Sequence, residues 1–274
     1  MNELEFLWIT YYINISYEEY NKLNKIFGNV KNIYEATMNP DKFKIVLKKS
    51  KVYLKIELFK KLISNNLKYK AKIKLIELKQ KNIKIITIND NKYSNIFNQE
   101  LIIYAYGDLN ILNNNKICVY NSNVIDNKSK TMQNDFCKYI KDQGIKIVSD
   151  LLNENTDIVC LEYLDIVKND NILILSSKIE KDKNLNNTNY KLLSSISNCI
   201  FFVPTDYNIK AATLVDMFLE NGKDILAIPA DINNSNSYFS NFLIKCGATV
   251  ITGKKDLLTE INYISNQQKN KLYK

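Results

Sequence analysis

From Lys116 onward, short runs rich in β-branched and aromatic residues take turns with helical stretches. The runs are KICVY, IKIVS, NILILS, CIFFVP, DILAIP and TVIT, and helical spacing occupies 129–143, 157–167, 188–197, 209–221 and 236–246. Two further runs, IKIITI and LIIYAY, precede the alternation. A chain that re-enters a sheet in the same direction needs a crossover, and a helix commonly supplies it. The alternation therefore predicts an α/β fold, a parallel sheet with helices on both faces. Ligands of such sheets lie beyond the carboxyl ends of the strands, near the point where strand order reverses. Any site is expected in the segments 121–124, 149–153, 176–179, 204–210 and 230–234.

Residues 4–80 read as all-helical. Leu4, Leu7, Trp8, Tyr11 and Tyr12 fall at helical spacing. Ser16 followed by Glu19 predicts a capping box that opens the helix carrying Tyr20, Leu23 and Ile26. Phe27-Gly28-Asn29 supplies the glycine stop. Further helices are expected over 30–38, 42–48 and 51–80, the last carrying Leu54, Leu58 and Leu62 among Lys55, Lys60 and Lys61. The period shifts from helical to strand at Lys84. A boundary is expected within 80–112, with Asn113-Asn114-Asn115 as a turn.

Composition excludes whole classes of chemistry. All 38 basic residues are lysine, and histidine is absent. Without histidine there is no Ser-His-Asp or Cys-His nucleophile and no H-E-x-x-H zinc site. Without arginine there is no bidentate fork for phosphate or guanine. Any bound anion is left to lysines, hydroxyls, amides and backbone N–H groups. Forty asparagines beside abundant lysine, isoleucine and tyrosine point to AT-rich codon usage, so the net charge of +9 is weak evidence for a partner. The excess is also uneven. Residues 1–115 hold 19 lysines against 11 acids, and residues 116–274 hold 19 against 18. Within 41–92 the ratio is 16 to 4, which reads first as the solvated faces of amphipathic helices.

Cys118, Cys137, Cys160, Cys199 and Cys246 form no C-x-x-C pair or other zinc spacing, so no metal is expected. Several lie in apolar runs, as small buried hydrophobes do. Unclustered cysteines, acidic residues near the N-terminus and the lack of an apolar stretch of about 20 residues predict a cytoplasmic protein with no membrane association.

The succession of segments resembles the DNA-processing protein A family (DprA, also called Smf), from about residue 5 to about residue 260. The opening FLWITYYINISYEEYNKLNKIFGNVKNIYEA is similar to that family's small helical domain. NIKIITINDNKYSNIFNQELIIYAYGDL is similar to its linker pattern, retaining Asp90, Tyr93, Gly107, Asp108 and Leu109, with Ser94 where proline is usual. AATLVDMFLENGKDILAIPA and SYFSNFLIKCGATVITGKKDLL resemble the family's final third, with Ser237, Asn241, Leu243, Ile244, Gly247, Ala248, Asp256 and Leu258 at matching spacing. The resemblance implies a helical (SAM/helix-hairpin-like) domain over 1–80, connecting strands over 81–115, an extended Rossmann-like domain over 116–264 and a tail over 265–274.

It also implies single-stranded DNA binding, help in loading the recombinase RecA during natural transformation, and a homodimer, with no enzymatic activity and no cofactor. The ligand-facing loops depart from the family. Where it has G-S-R, this chain keeps Ser122 between Asn121 and Asn123. G-x-A-x-G-I-D becomes SDLLNENTD, which introduces Asp150 and Glu154. Lys191 stands in the R-N-R-I-I segment, and Lys210 replaces a glycine of S-G-S-L-I-T. The implied DNA-binding residues are Ser122, Asn123, Lys128, Lys130, Lys191, Lys210 and Asn241, with Tyr120, Tyr190, Tyr207 and Tyr238 as candidate stacking platforms. The alternative is a degenerate paralogue, a protein-interaction scaffold without DNA binding. A phosphoribohydrolase-like enzyme would need a glycine-rich G-G-x-G-T loop, which a chain with six glycines lacks.

Overall fold

The computed structural model describes residues 2–90, 100–120, 127–151, 153–161, 172–179, 188–233 and 238–272. The chain divides into two compact units, Met1–Tyr104 and Ala105–Lys274.

In the first unit, helix α1 (Glu3–Leu7) runs into a π-helical turn over Trp8–Tyr12. Then follow α2 (Tyr17–Phe27), α3 (Val30–Ala36), α4 (Pro40–Lys49), α5 (Ile56–Leu62), α6 (Asn65–Gln80) and strand β1 (Lys84–Thr87). Polar side chains set the helix ends. Ser16 Oγ accepts from the Glu19 N–H, and a Glu19 carboxylate oxygen accepts from the Ser16 N–H, both at 3.2 Å. Gly28, at φ +86°, ends α2 and donates to the Asn24 carbonyl at 2.7 Å. Asn29 and Asn39 cap α3 and α4, with Pro40 at the first helical position. The abundant asparagine is thus put to structural use. The helix expected over 51–80 is in fact two. Ser64 Oγ accepts the Leu67 N–H at 3.4 Å and opens α6, while Lys51 takes a left-handed φ of +55° before α5.

The core of this unit gathers Phe6, Leu7, Trp8, Ile9, Leu23 and Ile33. Trp8 meets Tyr34 edge-on at 5.0 Å. Lys68 is buried beside them, its Nζ 5.1 Å from the Tyr34 ring centre, 5.8 Å from that of Trp8 and 3.4 Å from Met38 Sδ. Among the described residues no carboxylate pairs with it, and burial pushes its pKa down to about 8.

Strand β2 (Ile102–Tyr106) crosses the boundary between the units. The second unit continues with a 3-10 turn (Leu109–Asn113), β3 (Lys116–Val119), α7 (Asn127–Asp142), β4 (Lys146–Ser149), β5 (Ile158–Cys160) and β6 (Leu173–Ser176). It closes with α8 (Thr188–Ile196), β7 (Cys199–Phe202), α9 (Ile209–Glu220), β8 (Asp224–Ala227), α10 (Tyr238–Lys245), β9 (Thr249–Val250) and α11 (Lys254–Leu272). Within the second unit the strands from β3 onward take the order β6-β5-β4-β3-β7-β8-β9, and every pairing among them is parallel. Cys118 is in register with Val148 on one side and Ile200 on the other. Apart from the first residues of β3, β4 and β8 and from the edge strand β9, the strands from β3 onward are buried on both faces, as a doubly covered parallel sheet requires. One face packs Ile117, Val119, Ile147 and Phe201 against Phe136 and Ile140 of α7 and Leu257, Ile261 and Ile264 of α11. Buried Leu193 of α8 and Leu214 and Phe218 of α9 cover the other.

Gly107 stands where a Cβ would come within 2.5 Å of the Ile172 carbonyl oxygen, which explains the glycine there. The helix expected over 157–167 is replaced at its start by β5. Ile158-Val159-Cys160 is too short to reveal itself as a strand, yet it is fully buried and pairs on both edges. Residues 265–272 continue α11 rather than forming a tail: Ser265 is buried, and Gln268 exchanges two 2.8 Å hydrogen bonds with Asn198.

Candidate functional site

Because the strands are parallel, the segments after β3, β4, β7 and β8 share one edge of the sheet. The chain winds from β3 outward to β6, then crosses back and winds from β7 to β9, so strand order reverses between β3 and β7. At that reversal Tyr120 directly follows β3. Its N–H donates to the Phe201 carbonyl at 3.1 Å and its carbonyl accepts from Gln133 Nε2 of α7 at 3.0 Å. Its hydroxyl donates to Asn208 Oδ1 at 3.0 Å, and its ring lies 5.1 Å from that of Phe202. Asn208 Oδ1 also accepts the Ala211 N–H at 2.8 Å and so caps α9. One side chain both starts the helix and anchors the end of the central strand.

Lys210 lies in the first turn of α9, where the helix dipole disfavours a cation. Asp150, at the end of β4, compensates with an ion pair, its Oδ2 2.6 Å from Lys210 Nζ. Since β3 lies between β4 and β7, the pair spans the end of β3. The carboxylate is 9% exposed and the lysine side chain 38%. Burial, and after it the Asp150 charge, raises the thiol pKa values of Cys118 and Cys160. Buried thiols held in the neutral form are poor nucleophiles.

The segment after β4 is tied by its own polar network. Ser149 Oγ accepts the Leu151 N–H at 3.0 Å, Asn155 donates to Asn134 of α7 at 2.9 Å, and Asn134 donates to Glu154 at 3.4 Å. At the opposite edge Asp157 accepts the Ile147 N–H at 2.9 Å, with Lys141 and Lys146 within 3.8 Å.

The residues predicted from sequence meet different fates. Ser122 and Asn123 lie outside the described residues. Lys128 and Lys130 are exposed near the start of α7, and Lys191 is exposed on α8. Lys210 is at the strand reversal but already paired. Asn241 uses its amide on the backbone, accepting the Ala230 N–H at 3.0 Å and donating to the Ala230 carbonyl at 2.9 Å, so it fixes the loop after β8. Of the tyrosines, Tyr120 and Tyr190 are buried and unsuited to stacking on a ligand, whereas Tyr207 and Tyr238 are 57% and 65% exposed. Tyr207 leans on Phe239 at 5.6 Å, and Tyr238 stacks on Phe242 at 6.3 Å.

Sequence reasoning missed Gln133 and Asn208. The N-cap signal of Asn208 before an apolar helix was readable; the long-range bond to Tyr120 was not. Among the described residues of this edge, Asp150, Glu154, Asp206 and Asp231 stand against Lys128, Lys130, Lys178 and Lys210, so acids and lysines balance. Among the described residues no group of three or more Cys, Asp or Glu could hold a metal ion, and no helix is long and apolar enough to cross a membrane.

No protein-family model matches the sequence, and no curated protein matches it. Solved structures do. The DNA processing protein A of Streptococcus pneumoniae is similar with a TM-score of 0.56 at 16% identity, covering 90% of this chain and 98% of that one. That of Helicobacter pylori, described for its mode of binding single-stranded DNA, is similar with a TM-score of 0.54 at 16% identity, covering 69% of this chain and 96% of that one. The architecture expected from the strand-helix alternation and the segment order is thus the observed one, and the chain has the fold of the DprA proteins.

Proposed function

We propose that this protein is a divergent DprA-like DNA-processing protein that binds single-stranded DNA weakly at the carboxyl edge of its sheet. The observation that carries the reading is the placement of Lys210 at the strand reversal of a DprA fold. Lys128, Lys130 and Lys191 would add phosphate contacts, each a point charge without the geometric fork of arginine. Exposed Tyr207 and Tyr238 would stack bases, a contact worth about 1–3 kcal/mol per base. In this reading the protein works as a homodimer, hands the strand to RecA and catalyses no reaction.

The second reading, a scaffold that has lost DNA binding, is favoured by one observation, the internal pairing of Lys210 with Asp150. An anisotropy titration with fluorescein-labelled oligo-dT at two salt concentrations separates the two. Micromolar binding that weakens steeply with salt supports the single-strand reading. Absence of binding at low salt by a folded protein supports the scaffold.

A further inference from the structure

We infer that Asp150 is a built-in competitor of the DNA strand. Its carboxylate holds Lys210 in an internal ion pair, and a phosphate gains that lysine only when the pair opens. This inference rests on the single-strand reading above. A carboxylate and a phosphate ask for the same Nζ, and an anion brought up to the closed pair meets the Asp150 charge as well as the lysine.

Among the described residues the pair has no third charged member. Its two halves differ in reach: Asp150 is a short side chain set in the wall of the site, whereas Lys210 extends to solvent on a four-carbon stem. Opening therefore means the lysine swings out and leaves a largely covered carboxylate without its cation, which is costly. Every phosphate contact made by Lys210 carries that cost. The residue that restrains binding is thus not a missing contact but a present acid. The Asp150→Asn substitution would keep the shape of the side chain and drop its claim on the ammonium.

The test is a double-mutant cycle with oligo-dT at low salt, comparing wild type, Asp150→Asn, Lys210→Met and the double variant, with Asp142→Asn as a charge-matched control. Asp150→Asn is expected to bind about tenfold tighter, as relief of a like-charge contact would give. Its salt slope should steepen by about 0.7, one added phosphate contact on a single strand. Lys210→Met alone should weaken binding, because it removes the cation and leaves the Asp150 charge facing the strand, and in the Asp150→Asn background it should abolish the gain. Asp150→Ser, checked by thermal unfolding, stands in if Asp150→Asn fails to fold. Binding by Asp150→Asn where the wild type shows none also supports the inference. Wild-type binding with no gain in Asp150→Asn, a gain that survives Lys210→Met, or an equal gain in Asp142→Asn overturns it and leaves the single-strand reading standing. No binding by any variant removes both.

Discussion

In the helical unit most ion pairs run along a single helix, Lys22 with Glu18, Lys31 with Glu35, Lys81 with Glu77; only Lys79 with Glu3 joins two among the described residues. In the α/β unit the pairs join separate elements: Lys210 of α9 with Asp150 after β4, Lys254 of α11 with Asp135 of α7, and Lys141 and Lys146 with Asp157 before β5. The first unit carries lysine as surplus, 16 against 4 acids over 41–92, and most of those among the described residues are exposed, with Lys68 buried. The second matches lysine with acid and builds it into the fold. Surplus surface charge attracts nucleic acid without discrimination. On the single-strand reading, selective binding would come from the α/β unit, where Lys210 must first be released from its partner.

The largest test of this contrast is Asp157→Ala. It leaves the Ile147 N–H without its acceptor and two lysines without their carboxylate, and should cost about 3 kcal/mol. A urea midpoint that hardly moves would show that the cross-element pairs are decorative. Next is Lys68, the exception within the helical unit, buried with no acid. Its folded pKa of about 8 lies below the ordinary lysine value of 10.5. Between those values the unfolded chain holds a proton that the folded chain lacks, so this group makes stability rise with pH from about 8 to about 10.5, with its full penalty present below 8. Lys68→Met should raise stability at pH 7 by about 2 kcal/mol and remove that rise, as read by unfolding at stepped pH. Asn208→Ala should cost about 1 kcal/mol through the lost cap and should loosen Tyr120, measurable as faster amide exchange at the end of β3. Lys31→Ala should cost at most about 0.3 kcal/mol, which thermal unfolding would register as no change.

The strands could be read in advance wherever a buried parallel strand needs an unbroken apolar run, as in Ile117-Cys118-Val119 or Ile200-Phe201-Phe202. β5 escaped because three residues carry no period, and the segment that follows them, LEYLDIV, has helical spacing. The break between α5 and α6 escaped because Ile63 keeps the apolar period across it, although Ser64 carried the capping signal. The site was less legible than the fold. Read along the chain, Lys210 is an implied DNA contact and Asp150 a departure from the family's loop. Their pairing depends on β4 and β7 flanking β3, which is a property of topology rather than of either local segment. Asn241 matched a family pattern by spacing, but only coordinates reveal that its amide holds Ala230.

Hydrogen–deuterium exchange with and without oligo-dT tests the central claim most directly, because it reports which unit the strand touches. Added protection is expected in peptides covering 127–133, 149–155 and 203–212, with little change over 41–81. Protection confined to 41–81 would mean that surplus charge alone does the binding and would contradict the claim.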